Sequence, residues 1–204
     1  MAKKEVVNPT TKDTKKLQAK DLIFAGAFGA IYIVVMLIIV MVCGSIPILY
    51  LISPLFVGIV CATIYELCVL KVHKFGAALI LGILFAVTAS SGYLPGMFMA
   101  IGIAVLSEVV LLIGKYKSKK LFLISYLVFN INMVCPFSNL YLNRDSFMAM
   151  ATEYYGEAYA NGVAALATSW MPVAQIGLAV IGAGIGVLIA SKLIKKHFEK
   201  AGIV

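Results

Sequence analysis

"LIFAGAFGAIYIVVMLIIVMVC", Leu22–Cys43, runs for 22 residues without a charge. A helix needs roughly 20 apolar residues to cross the ~30 Å hydrocarbon core of a bilayer. The run is too long for the apolar region of a typical signal peptide, and "VMV" before Cys43 lacks the small residue that a lipoprotein cleavage site needs. It reads as a retained membrane span, and it sets the scale for the rest of the chain.

Five further stretches approach the same length: about Pro47–Leu70, Gly76–Tyr93, Gly96–Gly114, Leu121–Leu140 and Trp170–Ser191. The 204 residues are 62% hydrophobic with a mean hydropathy of +1.02. A soluble domain is nearer half apolar. The expected fold is an all-α integral membrane protein with six transmembrane helices. Residues 1–20 form a basic, polar N-terminal segment, and residues 21–204 form a single transmembrane domain. The one long connection lies at about 141–169, and there is no internal repeat and no soluble domain.

Charge orients the spans. With both termini on one side, that side receives 16 lysines, in short clusters between apolar runs, and the other receives Arg144 alone. The positive-inside rule then makes both termini cytoplasmic and the 141–169 segment extracellular, in a multi-pass protein of a bacterial-type cell membrane. The formal net charge of +8 is therefore membrane-flank charge facing the lipid bilayer, not a nucleic-acid surface. Cys43, Cys61, Cys68 and Cys135 all lie in apolar runs without metal-ligand or disulfide spacing. They read as packing residues, and no metal or cofactor is expected.

No Walker A pattern, HExxH, GxSxG or Ser/His/Asp set occurs, and His73 and His197 lie among flanking lysines. No catalytic residue is expected, and the chain does not read as an enzyme or as its own ATPase.

The polar groups inside the spans carry the functional reading. "NINMVCPFSN", Asn130–Asn139, interrupts the fifth span. A polar amide in hydrocarbon is costly unless satisfied. In an α-helix, Asn132, Cys135 or Pro136, and Asn139 share one face. Pro136, without an N–H, frees the Asn132 carbonyl. This face is a candidate floor for a solute pocket; packed helices could use the same amides for interhelical bonds. Asn130, off that face, is a weaker member of the set. Tyr93 in "TASSGYLPG" (Thr88–Gly96), Trp170 and Gln175 at the start of the sixth span, and Tyr154 and Tyr155 are further solute candidates. Glu66 and Glu108 lie in spans near the lysine-rich side. They are candidates for a cytoplasmic-side polar contact, or for pairing with Lys71, Lys74 or Lys115. Ala25/Gly29 and Gly26/Ala30 make a flat stripe on the first span that admits another helix, and Gly182/Gly186 a second pair on the sixth.

On "KDLIFAGAFGAIYIVV" (Lys20–Val35), "VHKFGA" (Val72–Ala77), "SEVVLLIGKYKSKK" (Ser107–Lys120) and "KKHFEKAGIV" (Lys195–Val204), the chain resembles an S component of an energy-coupling-factor (ECF) transporter, more narrowly the Trep_Strep (MptD-like) family. The resemblance implies a six-helix bundle that captures a micronutrient outside and docks onto a transmembrane T component with two cytoplasmic ATPases. It places Ala25, Gly26, Gly29 and Ala30 on the T-component contact and the solute near the outer helix ends. The pocket motifs of vitamin-specific S components are not found. Met97, Met99, Met148, Met150, Tyr154 and Tyr155 would suit a large flat ligand such as a porphyrin. The rival readings are a self-sufficient small-solute permease and a membrane scaffold without solute.

Overall fold

The computed structural model describes residues 17–198. Most of the expected basic N-terminal segment, and the end of the "KKHFEKAGIV" tail, lie outside the described residues. Those described form helices and connections without a strand. The helices are α1 (Ala19–Gly44), α2 (Pro47–Val72), α3 (Ala77–Ala89), α4 (Leu94–Ile113), α5 (Lys119–Asn130), α6 (Ser138–Leu142), α7 (Arg144–Tyr155), α8 (Glu157–Leu166) and α9 (Met171–Leu193).

Among the described residues, five stretches are long and apolar enough to cross a membrane: Ala19–Gly44, Pro47–Val72, Leu94–Ile113, Lys119–Leu142 and Met171–Lys196. The sixth expected span is the 13-residue α3. At 1.5 Å per residue it rises about 20 Å, short of the ~30 Å core. Its ends explain this. Gly76 enters it at φ 108°, which a side chain would strain. "SSGY" (Ser90–Tyr93) then turns the chain out of the helix, and Pro95 opens α4.

Successive long helices run antiparallel, so the lysine clusters gather at one end, called here the basic end. The connections at Ser45–Ile46 and Ser90–Tyr93, with the α7–α8 hairpin, gather at the opposite end. Exposed apolar side chains such as Ile31, Val34, Ile38 and Met41 on α1 and Phe98, Leu106 and Ile113 on α4 form the lipid-facing surface.

The tightest seam is between α2 and α9. A Cβ built on Gly182 would stand 2.2 Å from the Leu55 carbonyl oxygen, and one on Gly186 2.2 Å from that of Gly58. The Gly182/Gly186 pair therefore packs inside the chain, with backbone against backbone. Asn130 completes the seam: its Nδ2 donates to the carbonyls of Pro54 (3.1 Å) and Ala179 (2.8 Å). The Tyr126 hydroxyl donates to the Gly58 carbonyl at 3.0 Å. These bonds occupy backbone acceptors where the two helices are too close for side chains. A main core of Tyr32, Met36, Tyr65, Phe85, Tyr126 and Phe129 fills the bundle centre. A second, smaller one (Leu51, Phe137, Leu140, Phe147, Val163) seats the α7–α8 hairpin.

The expected shared face of Asn132 and Asn139 is not formed. Pro136 cannot bond four residues back, and Ile131–Phe137 tightens into a 3-10 helix between α5 and α6. With about 120° per residue over that stretch, Asn139 ends up roughly 80° around the axis from Asn132 instead of nearly aligned with it. The two amides therefore point into different surroundings.

Candidate functional site

At the end opposite the basic one, the 3-10 break, the α3–α4 turn, the start of α2 and α7 enclose a cavity of about 160 Å³. Its walls are Tyr50, Ala89, Ser90, Gly92, Tyr93, Pro136, Asn139, Phe147 and Met150. Tyr50, Phe147 and Met150 are shared with a second chamber of about 390 Å³, which adds Ala151, Tyr154, Tyr155 and Tyr159. The shared residues make the two chambers neighbours, and the larger lies in the size range of small-molecule pockets.

Each element contributes for a local reason. Phe147, Met150, Ala151 and Tyr154 recur at helical spacing, so α7 turns one stripe towards the cavity. Tyr50 is fixed by Phe137 (ring centroids 4.9 Å) and by stacking with Phe147 (6.4 Å). Tyr155 and Tyr159 stack across the Gly156 break between α7 and α8, with centroids 4.7 Å apart. Gly96 lets α4 approach the 3-10 segment, because a Cβ there would lie 2.8 Å from the Cys135 carbonyl oxygen.

Two polar groups in the lining are buried and unpartnered: the Asn139 Oδ1 and the Ser90 hydroxyl. Five other buried side-chain atoms among the described residues, on Ser53, Glu66, Asn130 and Asn132, are also unpartnered, so what sets this pair apart is its place in the wall of this cavity. Among the described residues, no charged side chain lines either chamber. Arg144 is engaged elsewhere, donating from Nη2 to the Ala164 carbonyl at 2.9 Å and from Nη1 to that of Ala167 at 3.4 Å, which holds the end of α8. Burial pushes the Tyr159 phenol up to about 12, with Tyr155 adding to the effect, so it remains a neutral donor.

The other expected solute residues are placed differently. Asn132 is buried with both amide atoms unpartnered, and it lines neither chamber. Asn130 is spent on the α2–α9 seam. Gln175 is fully buried, donating to the Leu51 carbonyl at 3.0 Å and accepting from the Tyr141 hydroxyl at 3.1 Å. It ties α9 to α2 and α6 rather than facing a cavity. Trp170 is 63% exposed and lines neither chamber. Of the expected set, Asn139 and Tyr93 line the first chamber, and Tyr154 and Tyr155 the second, with Met150 in both. Tyr50, Phe147 and Tyr159 were not anticipated. The α7 stripe was a usable signal for Phe147, whereas nothing local marks Tyr50.

At the basic end, Glu108 is a helix cap. Its Oε1 accepts the Gly76 N–H (2.8 Å) and the Tyr116 hydroxyl (2.8 Å), and its Oε2 accepts the Leu79 N–H (3.0 Å). A carboxylate at a helix N-terminus satisfies orphan amides and complements the dipole. Lys115 and Tyr116 adopt φ of 49° and 54°. This costly turn brings the Tyr116 ring back over Glu108. Lys74, one of the lysines expected near the acids, pairs instead with Asp21 at 2.7 Å. Glu66 lines a separate cavity of about 220 Å³ with Phe122, Ser191 and Lys195, and its Oε1 is buried without a partner.

The small-residue stripe of α1 is divided. Ala25 and Gly29 are buried, and a Cβ on Gly29 would stand 2.5 Å from Leu84 Cδ1 of α3. Ala30 is exposed, and a Cβ on Gly26 would meet nothing within 4 Å. Half of the expected docking face is thus already used to pack α3, because a 26-residue helix must bury one side against its own bundle.

Helices of membrane-crossing length, a lipid-facing apolar surface and a polar-floored cavity at one end define a multi-pass helical membrane protein. The family model described as a hypothetical bacterial integral membrane protein (Trep_Strep) matches residues 19–200, and the chain belongs to that family. No curated protein and no solved structure matched it.

Proposed function

We propose that the chain is the substrate-binding membrane subunit of an ATP-driven importer of the energy-coupling-factor type. It captures a micronutrient in the aromatic cavity and docks onto a T component carrying two ATPases. The observation that carries this reading is the cavity itself, with the buried, unpartnered Asn139 carbonyl and Ser90 hydroxyl in its wall. Their position at a cavity wall, rather than between packed helices, favours solute capture over a scaffold. A self-sufficient permease needs a polar route onward. Below the cavity the bundle is filled by Tyr32, Phe85, Tyr126 and Phe129, each at most 1% exposed, which favours a capture subunit that relies on partners for passage.

The lysine distribution places the cavity outside the cell in this reading. A cysteine at Glu157 is expected to react with a membrane-impermeant maleimide in intact cells, and one at Lys117 only after lysis. The four native cysteines are buried and leave a low background. Reaction at Lys117 alone in intact cells would invert the topology.

Docking is tested on the open half of the α1 stripe. Gly26→Leu and Ala30→Leu are expected to leave the protein folded, since both side chains enter free space. They should reduce co-purification of the T component and ATPases by at least about tenfold, about 1.4 kcal/mol. Undiminished assembly in both variants would assign the contact to another face.

A further inference from the structure

We infer that the cavity takes an uncharged, planar aromatic or heteroaromatic compound whose edge carries at least one hydrogen-bond donor. This rests on the solute-capture reading and names the ligand class for the same site.

The lining supplies three constraints. The first is charge. Among the described residues, neither chamber is lined by a cation or an anion, and Arg144 is occupied by carbonyls of the α8 end. The charges on the 141–169 segment are this arginine and three acids, Asp145, Glu153 and Glu157. A carboxylate ligand would lose its hydration without gaining a counter-ion, and it would approach past a net negative surface. A porphyrin bearing free carboxylates is disfavoured on this ground.

The second constraint is shape and surface. Tyr50, Phe147, Tyr154, Tyr155 and Tyr159 surround the larger chamber. Rings present flat faces, and aromatic partners gain beyond their buried area when stacked or set edge-on. The tyrosine hydroxyls leave room for polar substituents on the ligand's periphery.

The third is polarity at the narrow end. Asn139 Oδ1 is an acceptor without a donor, and Ser90 adds a hydroxyl that can donate or accept. A ligand that brings an N–H or O–H to Asn139 satisfies a group that would otherwise stay buried and unpaired. One without it leaves that cost in place.

The test uses three bicyclic probes of similar size on the full chain in lipid nanodiscs. Carbostyril is a neutral lactam with an N–H, N-methylcarbostyril lacks the donor, and quinaldate is a carboxylate. Carbostyril is expected to bind tightest, with methylation weakening it at least about fivefold and quinaldate weaker still. Asn139→Leu should abolish the advantage of carbostyril over its methylated form. Should that variant fail to fold, the probe series on the unmodified chain decides alone. Equal or tighter binding of N-methylcarbostyril or of quinaldate overturns the ligand class, as does the absence of binding by all three. The importer reading fails independently, if no T component or ATPase co-purifies from the native membrane whatever the probes show.

Discussion

Gly182→Ala is expected to destabilise the fold by about 3 kcal/mol or more, at the upper end for overpacked cores. The added methyl would meet the Leu55 carbonyl oxygen at 2.2 Å and the Leu55 Cα at 2.8 Å. Both are backbone, so no side-chain rotation relieves the clash, and α2 and α9 must move apart. Their separation stretches the Asn130 bridge, which donates to both helices. The measurement is thermal unfolding in detergent, with Gly184→Ala as the control. Gly184 lies on the same helix, and its Cβ would meet nothing within 4 Å. It should shift the midpoint little, or upward, because alanine is the better helix former. Similar midpoints for the two variants would mean that the α2–α9 seam is not as close as described.

Glu108→Ala is the second large effect. It removes the acceptor for two backbone N–H groups, of Gly76 and Leu79, and for the Tyr116 hydroxyl. Leaving a buried donor unsatisfied costs about 1–3 kcal/mol, so the two backbone N–H groups alone give an expected loss of about 2–6 kcal/mol. The damage should be local. Hydrogen exchange at the first turn of α3 should rise sharply while the α2–α9 seam stays protected. Glu108→Gln keeps an acceptor and should recover part of the loss. Tyr116→Phe should cost about 1 kcal/mol. If Glu108→Ala unfolds no more easily than Tyr116→Phe, the carboxylate is not the cap of α3. Glu108 would then return to the set of groups free to contact a cytoplasmic partner.

These two sites show how differently the chain's features could be read. Gly182 and Gly186 were visible as a small-residue pair, but the same spacing at Gly26/Ala30 faces open space, so their use in the α2–α9 seam came from the tertiary structure. Glu108 was visible as an acid within a span. Its role needed the chain to bring Gly76, 32 residues earlier in sequence, beneath it. The asparagines of the fifth span were likewise visible as misplaced polar groups. Assigning them to one face assumed a continuous α-helix, and the 3-10 segment around Pro136 rotated Asn139 away from Asn132.

Solvent and chain length determined what the sequence alone could give. Apolar runs near the bilayer thickness fixed the helices and the membrane class, since in hydrocarbon a single chain segment must satisfy its own backbone. The short α3 was the exception, because Gly76 and the Ser90–Tyr93 turn set its length independently of hydropathy. Which side of each helix faces protein was left to the tertiary structure. Mean hydropathy is nearly uniform around a membrane helix, so periodicity carries no inward direction. Hence only packing could divide the α1 stripe, bury Gln175 and Asn130 in helix contacts, and bring Tyr50, Ser90, Asn139 and Tyr159 from four separate regions to two adjoining chambers.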